Sequence, residues 1–262
     1  VQNVRAKKNL GQHFLNDSQI AKQIVDALSF PNGCKQVLEV GPGMGILTDH
    51  LFSLNNIGTK IIDIDHESIN YLYQKYPEQE KNIIEGDFLN LDFDKVFTGA
   101  FCVIGNFPYN ISSQILFKIL DNRDRIPEVV GMFQKEVAER IAGSPRSREY
   151  GILSVFMQTW YTIEIILQLK EEDFTPPPKV RSAVLHFQKK NNFILQCDEV
   201  LFRKVVKTGF NQRRKTLRNA MSVMIPKTSS IDLPYMDLRA EALSWKMFEE
   251  LTNAVQKLQP GK

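Results

Sequence analysis

The sequence predicts an α/β fold: a parallel sheet covered by helices on both faces, followed by a smaller all-α domain. Three observations predict it. Apolar runs of strand length alternate with segments of helical periodicity from Val37 to about residue 142, the pattern of a parallel sheet with crossover helices. The first of those runs ends directly in a cluster of glycines. After the polar run Lys189-Lys190-Asn191-Asn192 the pattern becomes wholly helical. The sequence therefore divides into a sheet-bearing domain, residues 1–189, and a helical domain, residues 190–262.

Asp17 or Ser18 caps a first helix whose apolar face is Ile20, Ile24, Val25 and Leu28. Pro31-Asn32-Gly33 turns the chain into the strand Val37-Leu38-Glu39-Val40, and Gly41-Pro42-Gly43-Met44-Gly45 leads into a helix from about Ile46. The next strand is Lys60 to Ile64, followed by a helix over 67–76. Strands then run from Asn82 to Glu85, from Ala100 to Gly105 and from Glu128 to Phe133, with helices at Ile111–Leu120 and 134–142. The stretch Ser144 to Tyr150 reads as an exposed loop. A helix (Ile152–Gln158), a strand (Thr162–Gln168), the Pro-rich loop Phe174–Lys179 and a last strand (Ala183–Gln188) follow, then helices near 198–208, 212–223 and 245–258.

A content of 43% hydrophobic residues with 17 Phe supports a packed core and excludes a disordered chain. The net charge of +3 is too mild to imply a polyanion partner, so its distribution decides. Arg203, Lys204, Lys207, Arg213, Arg214, Lys215, Arg218 and Lys227 lie between Val200 and Ile231 without one acid, and Arg5, Lys7 and Lys8 open the chain. Such clustering is the footprint of nucleic acid. Arg213, Arg214, Lys215 and Arg218 are expected on one helix as phosphate contacts, with Arg146 and Arg148 in the loop adding to them. Cys34, Cys102 and Cys197 form no CxxC pair, and His50, His66 and His186 form no ligand-spaced cluster, so no metal site is expected. Cys102, Trp160 and Trp245 read as packing residues. The odd cysteine count, with no signal-peptide pattern and no apolar run near the ~18 residues of a membrane span, points to a cytoplasmic protein without membrane contact.

In an open parallel sheet, ligands bind at the carboxyl ends of the strands, and four signals fall there. Glu39-Val-Gly41-Pro-Gly43-Met-Gly45 has GxGxG spacing with an acid two residues ahead, unlike the GxGxxG of dinucleotide sites. This form suits a ligand with a positive amino acid part and no phosphate, as S-adenosylmethionine has. Asp63 ends the second strand, where a carboxylate accepts both hydroxyls of a ribose, with Asp65 as its rival. Asp87, after the third strand, suits an adenine amine, with an apolar neighbour, Phe88, to stack on the ring. Asn106-Phe107-Pro108-Tyr109 follows the fourth. An exocyclic adenine nitrogen is a poor nucleophile, because its lone pair is delocalised, and must be held with that pair aimed at the methyl donor. The Asn106 side-chain oxygen and the Pro108 carbonyl can accept its two N–H groups, and Tyr109 offers a face for an extruded base. The catalytic content is positioning and electrostatics, and no basic residue is required.

Asn106-Phe107-Pro108-Tyr109 resembles the (Asn/Asp)-Pro-Pro-Tyr and Asn-Leu-Pro-Tyr motifs of adenine N6 methyltransferases. Gly11-Gln12-His13-Phe14-Leu15, Gln134-Lys135-Glu136-Val137-Ala138, Tyr150 to Val155 and Phe174 to Val180 resemble segments of ribosomal RNA adenine dimethylases. Phe210 to Asn219 is similar to a signature of the small-subunit branch, the KsgA family, and the likeness runs from about Lys7 to about Leu251. The resemblance implies a Rossmann-like class I S-adenosylmethionine-dependent methyltransferase sheet with a smaller all-α C-terminal domain. It implies dimethylation of N6 on two adjacent adenosines in the 3′-terminal hairpin of small-subunit ribosomal RNA, on an assembling subunit, with S-adenosylhomocysteine as by-product; a monomer is expected, although the sequence itself does not give the oligomeric state. By position, Gln12, His13, Leu15, Gly41, Gly43, Asp63, Ile64, Asp87, Phe88 and Asn106 would meet the cofactor, and Tyr109 and Phe174 would sandwich the target base. Asp63 stands where the family usually has Glu, His13 where Asn is common, and Phe107 where Leu is usual. Competing readings are a large-subunit ribosomal RNA methylase of the resistance type and an assembly factor without catalysis; the intact Gly41–Gly45 and Asn106–Tyr109 motifs argue against the second.

Overall fold

Residues 4–225 and 233–258 are described by the structure, a computed structural model. Lys227 of the basic set lies outside the described residues. Contacts divide the chain into two compact units: residues 1–138 with 162–189, and residues 139–161 with 190–262.

The first unit begins with the short strand β1 (Phe14–Leu15) and helix α1 (Ser18–Asp26). Asp17 caps α1 by accepting from the N–H groups of Gln19 and Ile20, and the helix buries Ala21, Ile24 and Val25. Two βα steps follow, β2 (Gln36–Val40) with α2 (Ile46–Leu51) and β3 (Gly58–Asp63) with α3 (His66–Lys75), then β4 (Ile83–Glu85). Next come β5 (Cys102–Asn106), α4 (Ser112–Asp121), β6 (Glu128–Gln134) and α5 (Lys135–Ala142). Helix α4 buries Ile115, Leu116, Ile119 and Leu120, which stand at the three- and four-residue spacings of one helix face. After α6 (Ile152–Trp160) come β7 (Tyr161–Leu169), β8 (Phe174–Thr175) and β9 (Ser182–Lys189).

The main sheet has the order β4-β3-β2-β5-β6-β9-β7. Strands β4, β3, β2, β5 and β6 are parallel, and β9 pairs antiparallel with β6, from Glu128↔Gln188 to Gln134↔Ser182. The expectation of a purely parallel sheet is corrected at β9, which is reached through β7 and the Pro-rich loop instead of a crossover helix. Strands β5 and β6 lie in the middle and are almost wholly buried, hence their continuous apolar character. A Cβ on Gly105 would stand 2.3 Å from the Val40 carbonyl, so the close approach of β5 to the end of β2 needs glycine there. Strands β1 and β8 pair antiparallel in a separate two-stranded sheet, Phe14↔Thr175 and Leu15↔Phe174. Among the described residues no helix is long and apolar enough to cross a membrane.

The second unit is helical: α6, α7 (Glu199–Asn211), α8 (Leu217–Ala220) and α9 (Trp245–Leu258). Residues 139–161 group with these helices, beyond the expected 190–262, because α6 packs against α7 and α9, with the Phe156 ring 6.3 Å from that of Phe202 on α7. Cys102 and Trp160 are buried as packing residues, and the Trp245 ring lies edge-on to Phe193. The single helix expected over 212–223 does not form. Helix α7 stops at Asn211, Thr216 takes an extended conformation and bridges Arg239, and the Leu217 and Arg218 N–H groups donate to Leu238 and Met236. Arg213, Arg214 and Lys215 therefore sit on a turn, and Arg218 alone is helical.

Candidate active site

The four predicted strand ends converge. A cavity of ≈ 210 Å³ is lined by Gly41 and Gly43 after β2, Asp63 and Ile64 at the end of β3, Asp87 and Phe88 after β4, and Asn106, Pro108 and Tyr109 at the end of β5. Leu10 to Phe14 form another wall, which places Gln12 and His13 at the cavity. A second cavity of ≈ 280 Å³ shares Phe14, Gly41 and Asn106 with the first and adds Leu15 and Glu39. Phe174 lines neither cavity. It is 2% exposed, pairs with Leu15 and belongs to the apolar core, so the Tyr109–Phe174 sandwich is not the arrangement found. The ring stacked on Tyr109 is His13, at 5.5 Å between centroids and 28° between planes.

The glycine loop owes its shape to close packing. Gly43 has φ +55°, and a Cβ on it would stand 2.7 Å from the Phe14 ring. Its N–H points at Asp63, whose Oδ2 accepts at 3.3 Å while Oδ1 accepts from the Asp65 N–H at 2.9 Å. Burial pushes the Asp63 carboxyl up to about 6, against the downward pull of the Asp65 and Gly43 N–H groups. Asp65 is turned elsewhere: Lys7, Gln12, Ser68 and the Glu67 N–H all donate to it, and it does not line the cavity. Of the two, only Asp63 lines the cavity. Glu39, 1% exposed, accepts from Thr48 Oγ1 at 2.6 Å, and burial drives its carboxyl up to about 8.

Asn106 Nδ2 donates to the His13 carbonyl at 2.7 Å. A carbonyl can only accept, so this bond fixes the amide orientation and leaves Oδ1 as an acceptor where the two cavities meet. The Pro108 carbonyl already accepts the Ile111 N–H at 3.1 Å, which closes the turn and leaves it one lone pair. The Tyr109 hydroxyl lies 2.5 Å from Ser182 Oγ, and burial raises its phenol above the usual range. Ser182 was beyond sequence reasoning because it arrives on β9, 73 residues away. Lys118 was missed too. From α4 it donates to the Leu89 and Leu91 carbonyls at 2.8 and 2.6 Å and sits 4.8 Å over the Phe93 ring, pinning the turn that presents Asp87 and Phe88. The only signal for it was a lone lysine within the α4 sequence, which reads as a solvated charge.

The cavity wall carries two carboxylates and no Lys or Arg. Two carboxylates favour a ligand that carries positive charge or hydrogen-bond donors. Ile64, 56% exposed, places a large apolar surface on the same wall, as a flat ring requires.

In the second unit the predicted RNA contacts divide. Arg213 Nε donates to Glu241 at 2.9 Å, and its Nη2 reaches the carbonyls of Arg148 and Tyr150. Arg218 pairs with Asp237 at 3.0 Å. All of these basic residues are exposed, Arg213, Arg214, Lys215 and Arg218 as well as Arg146 and Arg148 along their loop; they divide by whether the protein itself pairs them. Arg146 adopts φ +74° and donates its N–H to the Glu241 carbonyl.

A family profile described as ribosomal RNA adenine dimethylase matches residues 3–253. A protein of Cytophaga hutchinsonii named ribosomal RNA small subunit methyltransferase A is 54% identical over 97% of this chain and 98% of its own. One of the same name from Parabacteroides distasonis is 52% identical, over 97% and 95%. Among solved structures, a dimethyladenosine transferase from Plasmodium falciparum superposes with a TM-score of 0.78 at 24% identity, covering 94% of this chain and 98% of that one, and so shares the fold.

Proposed function

The chain belongs to the ribosomal RNA adenine dimethylase family, and we propose that it dimethylates N6 of two adjacent adenosines near the 3′ end of small-subunit ribosomal RNA on an assembling subunit. One observation carries the reading at the level of chemistry. Asn106 has its amide nitrogen committed to His13, so its oxygen faces the junction of two cavities as a hydrogen-bond acceptor. The small-subunit name shared by relatives near 50% identity supports that substrate over the large-subunit alternative.

S-adenosylmethionine, when bound, supplies an electrophilic methyl group on a positively charged sulfur. Asp63 would hold its ribose, Asp87 its adenine amine, Ile64 and Phe88 the ring faces, and Gly41, Gly43, Gln12, His13 and Leu15 the remainder. Asn106 Oδ1 accepts one N–H of the target amine, and the free lone pair of the Pro108 carbonyl accepts the other. Held this way, the nitrogen lone pair is turned out of conjugation with the base and gains nucleophilicity. The nitrogen sheds its proton after it has become cationic, so the site needs no strong base. Tyr109, fixed at its hydroxyl by Ser182, presents its ring edge and remaining face to the base. Arg214, Lys215 and the 146–148 loop hold phosphates, and the enzyme works as a cytoplasmic monomer.

Methyl transfer from labelled S-adenosylmethionine to small subunits stripped of this modification, with base mapping, tests the proposal. Two neighbouring dimethyladenosines near the 3′ end are expected. Labelling of large subunits alone would overturn the substrate, and tight subunit binding without transfer would favour the assembly-factor reading.

A further inference from the structure

Resting on that reading of the cavity, we infer that Asp65 and Lys7 are positioning residues, a clasp that holds the N-terminal wall of the cofactor site in place. The wall is five consecutive residues, Leu10 to Phe14, supported by a single 3-10 turn, Lys8–Leu10, that ends at Gly11 with φ +65°. So short a stretch has little stability of its own and must be tied down. At its far end it is tied by Asn106 Nδ2 to the His13 carbonyl and by the His13 ring Nδ1 to the Pro176 carbonyl at 2.7 Å. At its near end, the ties converge on Asp65.

Each Asp65 oxygen takes one hydrogen bond from the start of α3 and one from the N-terminal segment. Oδ1 accepts from the Glu67 N–H and from Lys7 Nζ; Oδ2 accepts from Ser68 Oγ and from Gln12 Nε2, both at 3.0 Å. Gln12 closes the loop by accepting the Lys7 N–H at 2.8 Å. Glu67 adds a second acid 3.6 Å from Lys7 Nζ and accepts the Arg5 N–H. Burial by itself would raise the Asp65 carboxyl, but the Lys7, Gln12 and Ser68 donors outweigh it and hold it below the usual range. The carboxylate is thus charged and fully used. Asp63, two residues earlier, faces the cavity, so the end of β3 supplies both the floor of the site and the anchor of its wall.

Asparagine at this position keeps an oxygen to cap α3 but replaces the other with a donor, which opposes either Lys7 or Gln12. Lys7→Met removes the charge and touches no helix cap. Hydrogen bonds to charged partners of this kind set the scale, and either change should weaken S-adenosylhomocysteine binding ~10-fold. Together they should do little more than either alone, because both break one contact, and Lys7→Arg should restore most of the affinity.

The test pairs calorimetric titration of S-adenosylhomocysteine with hydrogen exchange of amides 7–13 in the cofactor-free protein. The expected result is faster exchange across that segment in Asp65→Asn and Lys7→Met, with the affinity losses and rescue above. Unchanged exchange, or unchanged affinity despite faster exchange, overturns the clasp. If the unaltered protein fails to bind S-adenosylhomocysteine, the proposed function falls, and the exchange rates alone still decide whether Asp65 holds the segment.

Discussion

The strand ends of the first unit and the basic turn of the second use charge in opposite ways. At the strand ends Glu39, Asp63 and Asp65 are buried, and each is held by one to four donors from its surroundings. On the turn, Arg214 and Lys215 are exposed. A buried, hydrogen-bonded carboxyl group fixes geometry at the level of single atoms, which a small cofactor and a reacting amine demand. An exposed charge fixes no geometry but acts at a distance, and many of them sum over a long polyanion. The difference predicts that substitutions at the strand ends change chemistry or cofactor affinity, whereas those on the turn change subunit affinity and its salt dependence.

The largest effect is expected at Asn106. Replacing it with Ala removes the acceptor that holds the target amine, and loss of one such contact to a developing charge costs kcat ~10²–10³-fold. S-adenosylhomocysteine affinity should fall far less, because only the His13 tie on the cofactor side is lost. Equal losses in kcat and in cofactor affinity would show that Asn106 acts through the N-terminal wall alone, and would collapse the distinction between catalytic and positioning contacts at this end of the sheet.

Next comes Asp63. Its carboxyl rests at about 6 in the cofactor-free protein, and the ionised form is the better acceptor for ribose hydroxyls. Cofactor affinity should therefore rise as pH increases through about 6 and level off above it. The stability term has the opposite sign. The folded protein keeps this proton up to about 6, whereas the unfolded chain releases it near 3.8, so the contribution of Asp63 to stability declines as pH rises through that window. Asp63→Asn should weaken cofactor binding ~10-fold at pH 8, the scale of a lost charged hydrogen bond, and should flatten both profiles between pH 5 and 7. Titrations of both proteins across that range check it, and an unaltered affinity profile in the variant would assign the titration to another group.

How legible these features were depended on how local their causes are. The glycine loop, Asp63, Asp87 and Asn106 were readable because each sits at a strand end where the chain itself delivers it to the site. The antiparallel entry of β9, and with it Ser182 beneath Tyr109, was not, since it depends on a tertiary pairing of β9 with β6 that brings together side chains 73 residues apart. Asp65 could only be named as a rival to Asp63; its commitment to Lys7 and Gln12 depends on where the N-terminal segment folds back. The placement of Phe174 beside Tyr109 came from resemblance, and here the pairing of β8 with β1 puts that ring in the core instead. In the second unit, charge spacing suggested a continuous helix. The bridge between Thr216 and Arg239 breaks it, a tertiary pairing that no local propensity encodes.

The smallest expected effect sharpens the contrast most, because it divides adjacent arginines. Arg213 is held by Glu241 and by the Arg148 and Tyr150 carbonyls, so its guanidinium is spent on fixing the 146–150 loop. Arg213 and its neighbour Arg214 are both exposed, so the difference between them is the set of bonds that holds Arg213. Arg213→Ala should lower the melting temperature of the free protein and leave two carbonyls without a donor. Arg214→Ala with Lys215→Ala should leave the melting temperature unchanged and weaken subunit binding at low salt. Two lost phosphate contacts should make the slope of log affinity against log salt shallower by ~1.4 to 1.8. Subunit binding measured from low to moderate salt, beside thermal melts of the same variants, reads both. If Arg213→Ala instead flattens the salt slope while Arg214 and Lys215 prove silent, the paired arginine is the one that meets RNA, and its ion pair with Glu241 is a resting contact exchanged for phosphate on binding.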